Sequence, residues 1–154
     1  MIRARNNLLL IIALLFLVAP AVPQARTVVN DRKAAAMLLG RHKLSLQWIS
    51  WDYFGTATVT NRRGVYYLKG EQKGRGSALT DLVRVNGVVT SIDAREFAFE
   101  GTITTQISHI NGGKPCERAG TMMFRITGNR KYWRLMEMDN PCDTATDYVD
   151  IFFR

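Results

Sequence analysis

The alternation of apolar and polar positions is strongest in the second half of the chain. From Glu96 to His109, apolar or small residues occupy the odd positions and mostly polar residues occupy the even positions. A period of two predicts a β-strand with one buried face and one face in water. Because 14 residues are long for a straight strand, we expect a bend or bulge at Gly101.

A different pattern precedes the strands. Asn30 and Asp31 stand before the helix-forming run Arg32 to Leu39, and Gly40 follows it. Asn or Asp at the start and Gly just past the end are typical helix boundaries. The sequence therefore predicts one short helix.

Turn residues recur about every eight to twelve positions from Leu44 onward, between segments rich in β-branched and aromatic residues. Asn86-Gly87 predicts a tight hairpin turn with Val85 opposite Val88. That pairing places Val83, Val85, Val88 and Ile92 on one face. A second hairpin is expected around the segment 61–64.

The second hairpin has Asn61-Arg62-Arg63-Gly64 as its loop. Symmetric pairing about this loop sets Val59 opposite Tyr66 and Ala57 opposite Leu68. The apolar side chains of both strands then share one face, which predicts that this face is buried.

A third hairpin has its turn at Gly128-Asn129-Arg130, and pairing about Asn129 sets Arg125 opposite Trp133. Cys116 and Cys142 are the two cysteines of the chain and are equidistant from Asn129. We expect them to form a disulfide at the open end of this hairpin.

Sequential strands joined mostly by tight turns favour a mainly β domain. We predict an antiparallel up-and-down barrel of about eight strands, with a twisted β-sandwich as the second choice and one short N-terminal helix after a signal peptide. The expected organisation is a signal peptide at 1–21, an N-terminal segment with the helix at 22–43, and the barrel-like domain at 44–154.

The N-terminus has the order of a secretory signal: Arg3 and Arg5, an apolar run from Leu8 to Val18, then small residues. The run is too short to span a bilayer as a helix. We expect cleavage after Ala21 and a periplasmic or secreted mature protein. The remaining chain has no glycosylation sequon, which favours a bacterial envelope.

Charge suggests the kind of partner. Without Arg3 and Arg5, the chain keeps 19 basic against 13 acidic residues. We therefore expect an unknown small molecule or envelope component as ligand, with peripheral contact to anionic surfaces and, because of export, no nucleic acid. Acidic polymers and lipid head groups are candidates.

Motifs for catalysis are missing. The sequence has no nucleophile elbow, zinc-protease helix, phosphate loop or C-x-x-C pair, so we expect no cofactor, no metal and no catalytic residue. His109 is on the apolar face of the long strand, near its C-terminal end, and is expected at a barrel mouth. His42, between Arg41 and Lys43, is expected in solvent.

Five residues are candidates for ligand contact. His109 is a polar group at the expected mouth, and Trp51 belongs to the aromatic segment 48–54, whose side chains could stack on a ligand. Arg125, Trp133 and Arg134 could form a cation–π cluster on a wet face or bind an anion.

The leading hypothesis is a non-catalytic binding module of the bacterial envelope, with an anionic or apolar ligand. One alternative is a small hydrolase or isomerase that uses His109 with Asp93, Glu96 or Glu100. The other is a protein inhibitor that acts through an exposed loop such as 111–115. An open barrel interior would favour a small-molecule ligand.

Overall fold

The computed structural model describes residues 25–154, so the expected signal peptide and its cleavage site lie outside the described residues. The chain contains one α-helix and nine strands in this range. Their bounds are β1 Val28–Val29, α1 Arg32–Leu38, β2 Gly40–Leu46, β3 Gly55–Arg62, β4 Val65–Lys73, β5 Leu82–Ile92, β6 Glu96–Gln106, β7 Cys116–Arg125, β8 Tyr132–Leu135 and β9 Val149–Phe152. Within 25–154, no helix is long and apolar enough to cross a bilayer.

Strands β2 to β9 form a closed antiparallel barrel in which each strand pairs with its neighbours in sequence. The first and last barrel strands, β2 and β9, pair through Leu44 and Ile151 and complete the wall. The predicted up-and-down barrel with one short helix is confirmed. The first barrel strand begins at Gly40, four positions before the expected start of the domain.

Helix α1 covers one end of the barrel, which we call the helix end. The Asp31 carboxylate accepts a hydrogen bond from the backbone N–H of Ala34 and caps the first turn. Gly40 follows the helix with φ +104°, a conformation that L side chains rarely adopt. Ala34, Ala35 and Leu38 point into the core. The predicted helix is confirmed.

The barrel interior is filled with side chains. Its largest fully buried members include Phe97, Phe99 and Phe124, and aliphatic side chains from every long strand complete the packing. Phe97 stacks on Phe124 with ring centroids 5.0 Å apart. Because the interior is filled, a ligand could bind only on the outer surface or at one of the two ends of the barrel.

The predicted turn at Asn86-Gly87 is wrong, because both residues continue through the middle of β5. Gly87 lies opposite Gly101 of β6, and a Cβ on Gly87 would be 2.3 Å from the Glu100 carbonyl oxygen. The glycine is there for this close approach of two strands and not for a turn.

The turn between β5 and β6 instead lies at 93–95. Gly101 pairs in register with Gly87, and the bulge of this strand pair lies in β5 between Val89 and Ser91, not at Gly101 as expected. The bulge changes which side chains face inward. Because β5 continues through 86–87, alternation from Val85 places Val89 rather than Val88 in the core, and the bulge after Val89 then brings Ile92 to the same face.

The second hairpin is present, but its register differs by two residues from the prediction. Val59 pairs with Leu68, and the loop is the two-residue turn Arg63-Gly64, in which both residues have positive φ. A shift of two keeps every side chain on its predicted face. The expected burial of this face is therefore correct.

The third hairpin is shifted by one residue, and the consequence is larger. Arg125 lies opposite Arg134, not opposite Trp133. A one-residue shift exchanges the two faces of a strand. The Trp133 side chain accordingly points into the core, where it is 2% exposed and packs against Phe97 and Phe153.

The other end, which we call the loop end, is closed by the loops after β2, β4, β6 and β8. The predicted disulfide between Cys116 and Cys142 is present and ties the start of β7 to the loop before β9. That loop leaves the ladder after Leu135, so the cysteines do not continue the hairpin as expected.

A buried ion pair lies beside this disulfide. The Arg118 guanidinium donates to Asp147 at 2.7 Å, and both side chains are almost fully buried. Asp147 also accepts hydrogen bonds from the indole N–H of Trp48 and the amide of Asn140. Polar groups of three separate segments are thereby joined at the loop end.

Candidate functional site

Two of the five candidate residues lie at the loop end. His109 is exposed in the turn after β6, and its ring packs edge to face on the Trp48 ring with centroids 5.8 Å apart. Trp51 is 54% exposed in the loop after β2. The filled interior lies below both residues.

The other three candidates do not join them. Trp133 is in the core, which corrects the expected position on a wet face. Arg125 and Arg134 face outward near the helix end, and each is paired with a carboxylate, Glu96 and Asp150 respectively. The five residues therefore do not form one site.

Arg134 is held with particular firmness. Its guanidinium donates two hydrogen bonds to Asp150, at 2.8 and 2.7 Å, and lies over the ring of Tyr148. The hydrogen bonds to Asp150 raise the pKa of Arg134 above its ordinary value. This side chain is engaged within the protein and is poorly placed to bind an external anion.

The proposed hydrolase pairing is not assembled. His109 is at the loop end, whereas Asp93 and Glu96 are at the helix end, where they bind Asn30 and Arg125. Glu100 faces outward in the middle of β6. No carboxylate of this set is positioned to orient the His109 ring.

The loop 111–115 is exposed but tethered. The Asp143 carboxylate accepts a hydrogen bond from the backbone N–H of Asn111 at 2.7 Å and another from Thr144. These backbone hydrogen bonds lower the pKa of Asp143 below its ordinary value. The disulfide begins directly after this loop at Cys116. The inhibitor hypothesis for the loop stays a prediction.

A groove of about 780 Å³ opens on the outer wall where β2 and β9 separate. The two strands pair from Leu46 to Leu44, and the ladder ends at the Leu44–Ile151 pair. Beyond that pair, β2 continues toward the helix end while β9 turns into the C-terminal residues. The groove therefore lies on the seam that closes the barrel.

We call this surface the basic groove. Four cationic side chains line it, none of its lining residues has an acidic side chain, and three phenylalanines supply apolar surface. The cations are Arg41, Lys43, Lys131 and Arg154, and the rings are those of Phe54, Phe152 and Phe153. Alternation along β2 places Arg41 and Lys43 on the same outward face.

The cations of the groove are not neutralised by the protein. Across residues 25–154, none of the four forms an ion pair with a carboxylate. Lys43 lies 5.1 Å from the centroid of the Phe54 ring, and Phe54 packs on Phe152 at 5.2 Å. Among residues 25–154, the hydrogen bonds that Arg41 and Arg154 donate go to neutral oxygens, those of Thr56 and Ala36 respectively. The groove thus has an excess of positive charge beside an apolar surface.

His42 forms the floor of the groove, which corrects the expectation that it is solvent exposed. Its side chain points inward from β2, and the residue is 4% exposed. Its Nδ1 lies 2.9 Å from the carbonyl oxygen of Phe152, and its Nε2 lies 2.8 Å from that of Leu38. The ring therefore connects β2 with the end of β9 and with the end of α1.

The basic groove has no complete signal in the sequence. The triplet Arg41-His42-Lys43 was visible as a basic stretch, and its alternation on a strand predicts two outward cations around one inward ring. Lys131, Phe152 and Arg154 reach the same place only because the last strand pairs with the first. No local pattern reports that pairing.

Comparison with known proteins gives a family. The model of the PM1083 family matches residues 26–153. The chain is 45% identical over 140 residues to a Pasteurella multocida (strain Pm70) protein described as uncharacterized protein PM1083, covering 91% of this chain and 89% of the relative. No solved structure matches the chain significantly. The match spans α1, the whole barrel and every lining residue of the basic groove except Arg154, and the chain belongs to the PM1083 family.

Proposed function

We propose that this protein is a non-catalytic binding module of the cell envelope that recognises a phosphate-type anion in the basic groove. One observation carries the proposal: four unpaired cations surround a groove whose lining has no acidic side chain. Cations without a carboxylate partner attract an anion, and the attraction is strongest close to a low-dielectric wall.

The aromatic surface of the groove indicates that the ligand has an apolar portion. Phe54 and Phe152 form a continuous apolar patch next to Lys43. A ligand that carries an apolar portion beside its anionic group would use both surfaces, whereas a small inorganic anion would use only the cations. Phosphodiesters of lipid head groups and of envelope polymers share this chemistry.

A binding role agrees with the chemistry of the groove better than a catalytic one. Thr56 supplies the only side-chain hydroxyl of the lining, and His42 has both ring nitrogens occupied by backbone carbonyls. His42, the histidine of the lining, is therefore not free to act as a general base for Thr56. The N-terminal pattern of the sequence and the disulfide support export to an oxidising compartment.

The test is a binding titration with the purified protein. One arm uses long-chain polyphosphate in solution, and the other uses vesicles of zwitterionic lipid with and without phosphatidylglycerol. Lys43→Glu and Lys131→Glu reverse a charge in the groove, and Lys114→Glu makes the same change in net charge at the loop end. Comparison of the two arms distinguishes a soluble from a membrane-borne ligand.

We expect each groove variant to bind roughly tenfold more weakly, because a charge-assisted contact is replaced by repulsion. Lys114→Glu should bind like the unaltered protein. Binding should weaken as salt is raised. An equal loss in Lys114→Glu would show that net charge alone attracts the anion, and the absence of binding in both arms would refute the proposal.

A further inference from the structure

The side chain of His42 faces two hydrogen-bond acceptors. Each ring nitrogen lies within 3.0 Å of a backbone carbonyl oxygen, that of Phe152 on one side and that of Leu38 on the other. A carbonyl oxygen can only accept a hydrogen bond, so both ring nitrogens must carry a proton for both contacts to be hydrogen bonds. Only the positively charged imidazolium satisfies this requirement.

A neutral ring would satisfy one contact and lose the other. Its unprotonated nitrogen would face a carbonyl oxygen with no hydrogen between them, which is unfavourable in a buried position. Either the Leu38 carbonyl at the end of α1 or the Phe152 carbonyl at the end of β9 would then lose its hydrogen bond to the ring. Since β2 and β9 have no backbone pairing beyond Leu44–Ile151, the His42 ring supplies a hydrogen bond between the two strands where the ladder has ended.

The surroundings of the ring determine what opposes and what supports its charge. The Trp133 ring lies edge to face with the imidazole at 5.7 Å. Cations line the groove on β2, before β8 and at position 154, and α1 carries two more in its first turn; among the carboxylates, that of Asp31 caps α1 and that of Asp150 on β9 binds Arg134. The cations are Arg41, Lys43, Lys131, Arg154, Arg32 and Lys33.

We propose that His42 is a proton-linked positioning residue, through which anion binding in the basic groove and protonation of the buried ring promote each other. The inference rests on the proposed function and adds its regulation. The groove cations disfavour a further positive charge at its floor, and a bound anion removes that penalty. By linkage, the proton must strengthen anion binding by the same factor.

The direction with pH follows from this coupling. At low pH the ring carries both protons, both carbonyl contacts are hydrogen bonds, and the groove keeps the geometry that binds the anion. As pH rises, the ring loses a proton, one contact is lost, and affinity falls. The affinity is therefore to be measured between about pH 5 and 8, where the charge of an unperturbed histidine side chain changes.

The deciding measurement follows the ring resonances of the two histidines by NMR as pH is varied, with and without saturating polyphosphate. It uses the unaltered protein, so it does not depend on whether a variant folds. Internal phosphates of a long chain keep a constant charge in this range. His109 lies at the loop end and serves as the internal control.

We expect polyphosphate to move the titration of His42 to higher pH and to leave that of His109 unchanged. The affinity should fall at least about fivefold from the low to the high end of the range. In His42→Gln, which cannot titrate, the affinity should be nearly independent of pH, while His109→Gln should retain the pH dependence.

The outcomes separate this inference from the proposed function. Binding that occurs with no movement of the His42 titration would overturn the proton linkage and leave the basic groove as a binding site. A pH dependence that survives in His42→Gln and disappears in His109→Gln would also overturn it. Absence of polyphosphate and vesicle binding at every pH would remove both proposals.

Discussion

Helix α1 closes one end of the barrel by inserting apolar side chains, whereas the loops at the other end close it around a buried ion pair. Ala34, Ala35 and Leu38 of α1 enter the core at the first end. At the second, Arg118 and Asp147 form a buried ion pair beside the disulfide. Apolar burial stabilises in proportion to area and tolerates small changes, but a buried charge depends on its one partner.

The two ends should therefore respond differently to substitution. Truncation of an apolar side chain at the helix end leaves a cavity and lowers the free energy of unfolding, with little dependence on pH or salt. Removal of one carboxylate at the loop end leaves a guanidinium in the interior, where two of its nitrogens, Nε and Nη1 of Arg118, already have no hydrogen-bond partner among the described residues. The loop end should therefore be the more sensitive one.

The largest effect is expected for Asp147→Asn, which keeps the shape of the side chain and removes its charge. We expect the free energy of unfolding to fall by about 4 kcal/mol, because Arg118 becomes a buried unpaired charge. Urea denaturation of Asp147→Asn and of the exposed-pair variant Glu96→Gln gives the comparison, with less than about 1 kcal/mol expected for the latter.

The double variant Asp147→Asn with Arg118→Met distinguishes charge from shape. It removes the unpaired guanidinium, so it should recover much of the lost stability. If Asp147→Asn destabilises no more than Glu96→Gln, the ion pair is not the element that holds the loop end together.

A smaller loss is expected at the helix end for Leu38→Ala. This side chain is fully buried, and truncation leaves a cavity below α1 that should lower the free energy of unfolding by about 3 kcal/mol. Lys33→Ala changes the exposed face of the same helix and should be nearly neutral. Equal effects of the two substitutions in urea denaturation would mean that α1 does not plug the barrel in solution.

The smallest effect is local and concerns the tether at Asp143. The backbone N–H groups of Asn111 and Thr144 lower the pKa of this carboxyl, so the tether is complete above the ordinary pKa of aspartate and is lost as pH falls through the lowered value. In Asp143→Asn the backbone amide of Asn111 should exchange its hydrogen faster. Global stability should hardly change.

Amide hydrogen exchange followed by NMR measures this prediction, and Asp52→Asn, in another exposed loop, is its control. Unchanged exchange at Asn111 in Asp143→Asn would show that the disulfide alone fixes the loop. The disulfide would then stabilise this loop more than the hydrogen bonds of the Asp143 carboxylate do.

Local signals in the sequence were sufficient for part of the fold. The boundaries of α1 could be predicted from Asp31 and Gly40. Asp31 accepts a hydrogen bond from a free backbone N–H of the first turn, and Gly40 adopts the positive φ that follows the last turn. The antiparallel order follows from short connections between strands. These features depend on neighbours in sequence, so a single chain contains the information for them.

The register of the strand pairs and the closure of the barrel between β2 and β9 could not be predicted from the sequence, for a physical reason. Asn86-Gly87 has the sequence of a turn, and only the position of Gly101 opposite Gly87 shows that it belongs to a strand. Trp133 is predicted on the exposed face when its strand is paired one residue out of register. The basic groove needs β2 beside β9, whose contact no turn signal marks. The missing information in each case lies in a distant strand.

The pairing of Leu44 with Ile151 also bears on the order in which the molecule assembles. All other barrel pairings join consecutive strands, whereas this one joins residues more than one hundred positions apart. Because long chain loops are slow and costly to close, we expect this contact to form late in folding. The basic groove does not exist before that step, so an anion that binds there recognises only finished molecules and, by mass action, protects them from unfolding.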